Sequence, residues 1–148
     1  MKTFRRILFA TDFSQASRKA FEEAVDLAAA NEAELVIVNA YQLPALFPTE
    51  VGVTGAFYND LDEKLRDNAG KRLQAIAEEA RSHGIGVRLL ILVGAPFEAI
   101  VDAARTMQVD LIVMGTHGRT GASRFFLGSI ASRVISTAPC PVMTVRAA

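Results

Sequence analysis

Short apolar runs rich in β-branched residues alternate along the whole chain with longer stretches whose apolar residues recur about every 3.6 positions. No other feature restricts the fold as strongly, because parallel strands cannot be joined by tight turns and need crossover segments, usually helices, between them. The runs fall at 6–10, 34–40, 87–93, 110–115 and 142–146. The middle three are almost wholly apolar, the pattern of strands covered on both faces.

Between the strands, Ala20, Ala24, Leu27 and Ala28 form one helical stripe, and Leu61, Leu65, Ala69, Leu73, Ile76 and Ala80 form a second. Pro96, suited to a first helical turn, opens a third helix carrying Phe97, Ile100, Val101 and Ala104. A fourth, starting around Gly128 and stopping before Pro139, carries Leu127, Ile130, Ala131, Val134 and Ile135. All four stripes read as core packing. The stretch 41–59 holds Pro44, Pro48, Gly52 and Gly55 without periodicity and reads as a long surface loop before the second helix. With 148 residues, 51% of them hydrophobic, the chain suffices for one core, and we expect a single domain over 1–148.

Sixteen basic residues balance sixteen acidic ones with no block of either sign, so nucleic acid is not an expected partner. The opening MKTFRRILFA has a basic start, but Thr11 and Asp12 cut its apolar stretch short of a signal peptide. No apolar run reaches the roughly 20 residues of a membrane span. Cys140, the single cysteine, fits a reducing compartment, and its place between Pro139 and Pro141 suits a packed thiol better than a nucleophile. A soluble cytoplasmic protein is expected.

In open parallel sheets ligands collect beyond the carboxyl ends of the strands, where loops diverge and helix N-termini present free N–H groups. Two such ends are equipped here. Ala10, Thr11, Asp12, Phe13 and Ser14 follow the first strand, with Ser14 placed to cap the first helix; Asp12 fits either an ordinary capping turn or a binding role. Gly115-Thr116-His117-Gly118-Arg119-Thr120-Gly121 follows the fourth strand, and Gly128-Ser129 opens the fourth helix. Glycines let a backbone approach a ligand, and Ser129 with the helix N-terminus offers donors to an anion, although glycines also make plain turns. Arg119 is a secondary candidate for phosphate. The segment is neither a Walker A loop, which needs its lysine, nor a GxGxxG dinucleotide fingerprint.

The spacing of Gly115-x-x-Gly118, nine residues, then Gly128-Ser129 resembles the nucleotide-binding pattern G-x2-G-x9-G-[S/T] of ATP-binding universal stress proteins. The resemblance extends to RRILFATDFS, VGAPFEAI, DLIVMGTHGRTG and APCPVMTVR, nearly the whole chain. It implies a Rossmann-like α/β fold of the adenine nucleotide alpha hydrolase-like kind: an open five-stranded parallel sheet, order 3-2-1-4-5, with helices on both faces. It further implies ATP as ligand, with magnesium entering only alongside the phosphates. Carried over by position, Asp12 lies near the ribose with Thr11 beside it, and the backbone of Ala40 meets the adenine. Met114, Gly115, His117, Gly118, Gly128, Ser129 and Ile130 line the rest, mainly the phosphates. Ala131 departs from relatives that carry a hydroxyl there. The last strand is expected to pair antiparallel with its counterpart in a homodimer, with Val142 and Val145 at or near the contact.

His117 is the one residue of the loop suited to acid–base work near neutral pH, but it has no evident catalytic partner and serves equally through its backbone. His83, beside Gly84, reads as a helix-end surface residue, and neither histidine has a partner at metal-ligand spacing. The expected function is a nucleotide-dependent regulatory module of the stress response with an unknown protein partner. The alternatives are a slow ATPase or phosphotransferase using the same pocket, and a nucleotide-free protein-interaction module.

Overall fold

The computed structural model describes residues 3–44, 55–117 and 127–147. Its elements are β1 (Arg6–Ala10), α1 (Gln15–Asn31), β2 (Glu34–Tyr41), α2 (Gly55–Arg81), β3 (Val87–Val93), α3 (Pro96–Thr106), β4 (Leu111–Gly115), α4 (Ser129–Thr137) and β5 (Val142–Val145). All strand pairings are parallel, in the order β3-β2-β1-β4-β5. β1 and β4 are therefore neighbours although a helix, two strands and two more helices separate them in sequence, and the direction of winding reverses between them.

Because successive side chains of a strand point to opposite faces, each strand divides between two cores. Odd-numbered residues such as Ile7, Phe9, Leu35, Ile37, Leu111 and Val113 pack with Ala20, Phe21, Ala24 and Ala28 of α1 and Leu73 and Ala80 of α2. Even-numbered residues such as Leu8, Val36, Val38, Ile112 and Met114 pack with Ile100, Val101 and Ala104 of α3 and Ala131 and Val134 of α4. The register puts Leu8 opposite both Val36 and Ile112, so same-face residues of the three central strands lie side by side.

The opposite end of the sheet is tied by charge. Glu34 stands between Arg6 at 3.0 Å and Arg88 at 2.8 Å. Asp110, which precedes β4 rather than opening it, accepts the amides of Arg5 and Arg6 at 2.8 and 3.0 Å.

Several sequence expectations change. Tyr41 belongs to β2 and the residues from Gly55 onward to α2, so the expected loop at 41–59 shrinks to 42–54, of which 45–54 lie outside the described residues. Polar positions such as Asn59 and Asp60 hid the helix start, since one face of the first turns of α2 is solvated. β3 is covered on both faces, by Val87, Leu89 and Ile91 on one side and Leu90 and Leu92 on the other, but only in part: it is an edge strand, and Arg88 and Val93 are exposed. In the fourth stripe only Ala131 and Val134 are buried, whereas Leu127, Ile130 and Ile135 are 44%, 39% and 47% exposed. α4 lies over the β5 edge of the sheet, so one narrow face suffices to seat it.

Candidate functional site

The carboxyl ends of β1, β2 and β4 form the floor of a cleft of about 450 Å³. That volume lies within the range of small-molecule sites. Ala10, Val38, Ala40 and Met114, all on the even-numbered face, make the floor; Pro96 and Ile100 of α3 make one wall and Leu127 to Ala131 the other. Thr11, Asp12 and Ser17, and Gly115, Thr116 and His117 at and after the end of the neighbouring strand β4, complete the lining.

The β1–α1 turn is built by its own side chains. Ser14 caps α1 by accepting the amide of Ser17 at 3.2 Å, as its position predicts. Asp12 Oδ1 accepts the amide of Ser14 at 2.9 Å, and Thr11 Oγ1 accepts the amide of Phe13 at 3.0 Å. Phe13 adopts a left-handed backbone with φ 65°, a conformation that a bulky side chain takes only under constraint from its surroundings. The guanidinium of Arg72 on α2 lies 5.1 Å from the Phe13 ring centre.

Across the cleft, Gly128 is the N-cap of α4, with no capping side chain and no acidic residue in the first turn. The first intrahelical bond runs from Ser132 to the Gly128 carbonyl. The amides of Ser129, Ile130 and Ala131 therefore have no acceptor within the helix, and they lie where the macrodipole favours negative charge. His117 adds an unmatched polar atom: Nδ1 sits 3.0 Å from Thr116 Oγ1, while Nε2 is buried with no hydrogen-bond partner among the described residues. Buried polar atoms without partners are rare and call for an explanation, such as an absent ligand. Asp12 is the only carboxylate and no lysine or arginine is present among the described lining residues.

The two described glycines of the pattern, Gly115 and Gly128, also stand against neighbouring parts of the chain. A Cβ on Gly115 would sit 3.0 Å from backbone and side-chain carbons of Ala16, so its bareness lets α1 approach β4. A Cβ on Gly128 would sit 2.8 Å from the Thr116 carbonyl oxygen.

Ala10, Thr11, Asp12, Ala40, Met114, Gly115, His117, Gly128, Ser129 and Ile130 are thus brought to one cleft, while Gly118 and Arg119 lie outside the described residues. Sequence reasoning did not single out Ser17, Val38, Pro96, Ile100, Thr116 or Leu127 as lining residues. Val38 was within reach of it, since it shares a strand face with Ala40. Pro96, Ile100 and Leu127 carry no chemistry to mark them; only the packing of α3 and α4 brings them to the cleft. Beside the site, Tyr41 donates its hydroxyl to Asp62 of α2; partial burial, then that bond, push its phenol above its ordinary pKa.

The family model described as the universal stress protein family matches residues 3–146. The universal stress protein MJ0577 of Methanocaldococcus jannaschii is 30% identical over 154 residues, covering 97% of this chain and 95% of that protein. Its solved structure matches with a TM-score of 0.86 over 98% of this chain and 97% of that one. UspA from Lactobacillus plantarum, 28% identical, matches with a TM-score of 0.82 over 99% and 100% of the two chains. A universal stress protein solved in complex with cAMP, 25% identical, gives 0.67 over 99% and 100%.

Proposed function

The chain belongs to the universal stress protein family, and from that premise we propose that it is an ATP-binding regulatory module of the stress response, acting in the cytoplasm as a homodimer. The observation that carries the reading is the cleft between β1 and β4, with an uncapped helix N-terminus and, on its lining, a buried His117 Nε2 that has no partner among the described residues. Three amides converging at a helix start suit phosphate oxygens. Beside the β1 end, the carboxylate of Asp12, which also holds the turn by accepting the Ser14 amide, suits a sugar hydroxyl. Ala10, Val38 and Ala40 offer small or apolar side chains on which a flat base can lie close to the strand ends. A related protein solved in complex with cAMP supports a nucleotide as ligand. Gly118 and Arg119 are proposed as further phosphate contacts on the strength of the glycine pattern alone.

Regulation rather than fast catalysis is favoured because the described cleft offers no lysine or arginine to stabilise a transferring phosphoryl group. For the dimer, β5 supports the reading as an edge strand with backbone groups available to a second copy.

Native mass spectrometry of the freshly purified chain, followed by calorimetric titration with ATP and magnesium, tests the proposal. A retained adenine nucleotide, or saturable binding below millimolar concentration, is expected. No binding up to millimolar ATP would overturn it in favour of a nucleotide-free interaction module.

A further inference from the structure

Asn39 lies in the apolar strand β2, whose preceding residues Leu35 to Val38 are fully buried, and is itself only 7% exposed. Its odd number turns it away from the cleft, so it touches no ligand placed there. A buried amide in such a strand is costly unless its polar atoms are matched. Its Nδ2 donates to the carbonyl of Thr11 at 2.8 Å.

That bond completes a frame. The ladder between β1 and β2 ends at Ala10 opposite Val38, and the next amide, of Thr11, donates to the Val38 carbonyl at 2.9 Å. Thr11 is thereby gripped by β2 through both its amide and its carbonyl. Its hydroxyl meets the Phe13 amide at 3.0 Å and the Ser17 hydroxyl at 2.5 Å, tying the same residue to the turn and to α1. Thr11 is buried, so water does not readily replace these partners. The following residue is Asp12, and the one after it is held at φ 65°.

We propose that Asn39 is a positioning residue for this site: it fixes the Thr11 peptide, and through it the direction of Asp12 and the left-handed bend at Phe13. The assignment rests on the nucleotide reading of the cleft for its effect on affinity, but its effect on the turn stands without any ligand. Removing the donor leaves the Thr11 carbonyl buried and unmatched, and the turn shifts to reach water. The Asp12 side of the cleft then loses its geometry, while the start of α4, joined through Gly128 to Thr116 after β4 and not to the β1 turn, keeps its own.

The test uses the full chain with Asn39→Leu, and with Asn39→Asp as a second variant of unchanged size that replaces the donor by an acceptor. Adenosine and inorganic tripolyphosphate are titrated separately, and exchange of backbone amides is followed without ligand. Both variants are expected to weaken adenosine about tenfold or more, to leave tripolyphosphate within about twofold, and to speed exchange at Phe13 and Ser14 while Ile7 to Ala10 stay protected. Unchanged adenosine affinity, or equal loss of both ligands with protection lost across the sheet, would overturn the proposal. Should the natural chain bind no adenosine, the nucleotide reading fails, and unaltered exchange at Phe13 and Ser14 in the variants would then overturn the role of Asn39 as well.

Discussion

The amide of Gly128 donates to the carbonyl of Thr116 at 2.8 Å, and a Cβ on Gly128 would stand 2.8 Å from that same oxygen. The two residues touch backbone to backbone, joining the start of α4 to the end of β4. Gly128→Val is therefore expected to abolish ATP binding by displacing this joint rather than by filling the cleft. Even Gly128→Ala should cost about 1–3 kcal/mol in thermal or denaturant melts, the scale of overpacking a closed contact. Calorimetry that finds ATP affinity unchanged in Gly128→Val would refute the site.

On the nucleotide reading Asp12 both holds the Ser14 amide and meets the sugar, so its variants separate the two tasks. Asp12→Asn keeps an oxygen for the Ser14 amide and removes the charge; it should weaken ATP and adenosine alike without lowering the melting temperature. Asp12→Ala should weaken both ligands and also loosen the turn. By contrast, Ser129→Ala should weaken ATP by about 1 kcal/mol and leave adenosine unaffected, as expected for one hydrogen bond at the phosphate end. Titration of both ligands against the three variants reads this out.

Hydrolysis of bound ATP should stay below roughly 1 s⁻¹, under the usual range of dedicated enzymes. Release of inorganic phosphate over many turnovers measures it. A faster rate that disappears in Gly128→Val would replace the regulatory reading with an enzymatic one.

The chain should be a dimer by light scattering at micromolar concentration, and deletion of residues 141–148 should make it monomeric if the truncated chain still folds. Val142 and Val145 already pack partly against their own two cores, whereas Met143 is 36% exposed on the same strand. Met143→Glu should thus weaken association with less damage to folding than a charge at Val142.

The strands were legible because apolar runs in a parallel sheet are short and bounded, and β1 and β3 begin and end where the residue pattern places them. Helix starts were less so, as α2 shows, since a solvated first turn carries no apolar stripe. For the site, residue types with chemistry, such as Thr11, Asp12, His117 and Ser129, could be named from strand ends and the glycine spacing. Ile100 and Leu127 could not, because an apolar lining residue looks like any core residue until its neighbours are placed. The true partners of Gly115 and Gly128 were equally hidden: what a missing Cβ makes room for depends on residues distant in the chain, here Ala16 for the first.

The division of each strand between two cores has a consequence for how such a chain can change length. All five strands happen to keep the same parity, odd residues toward α1 and α2 and even residues toward α3 and α4. One residue added inside β1 would exchange its two faces, sending Phe9 toward the α3 side and turning the approach to Asp12 away from the cleft. The same residue added between elements would move only the count. Growth and shrinkage of the sequence should therefore be found in the connections, in any number, and within the central strands only in pairs.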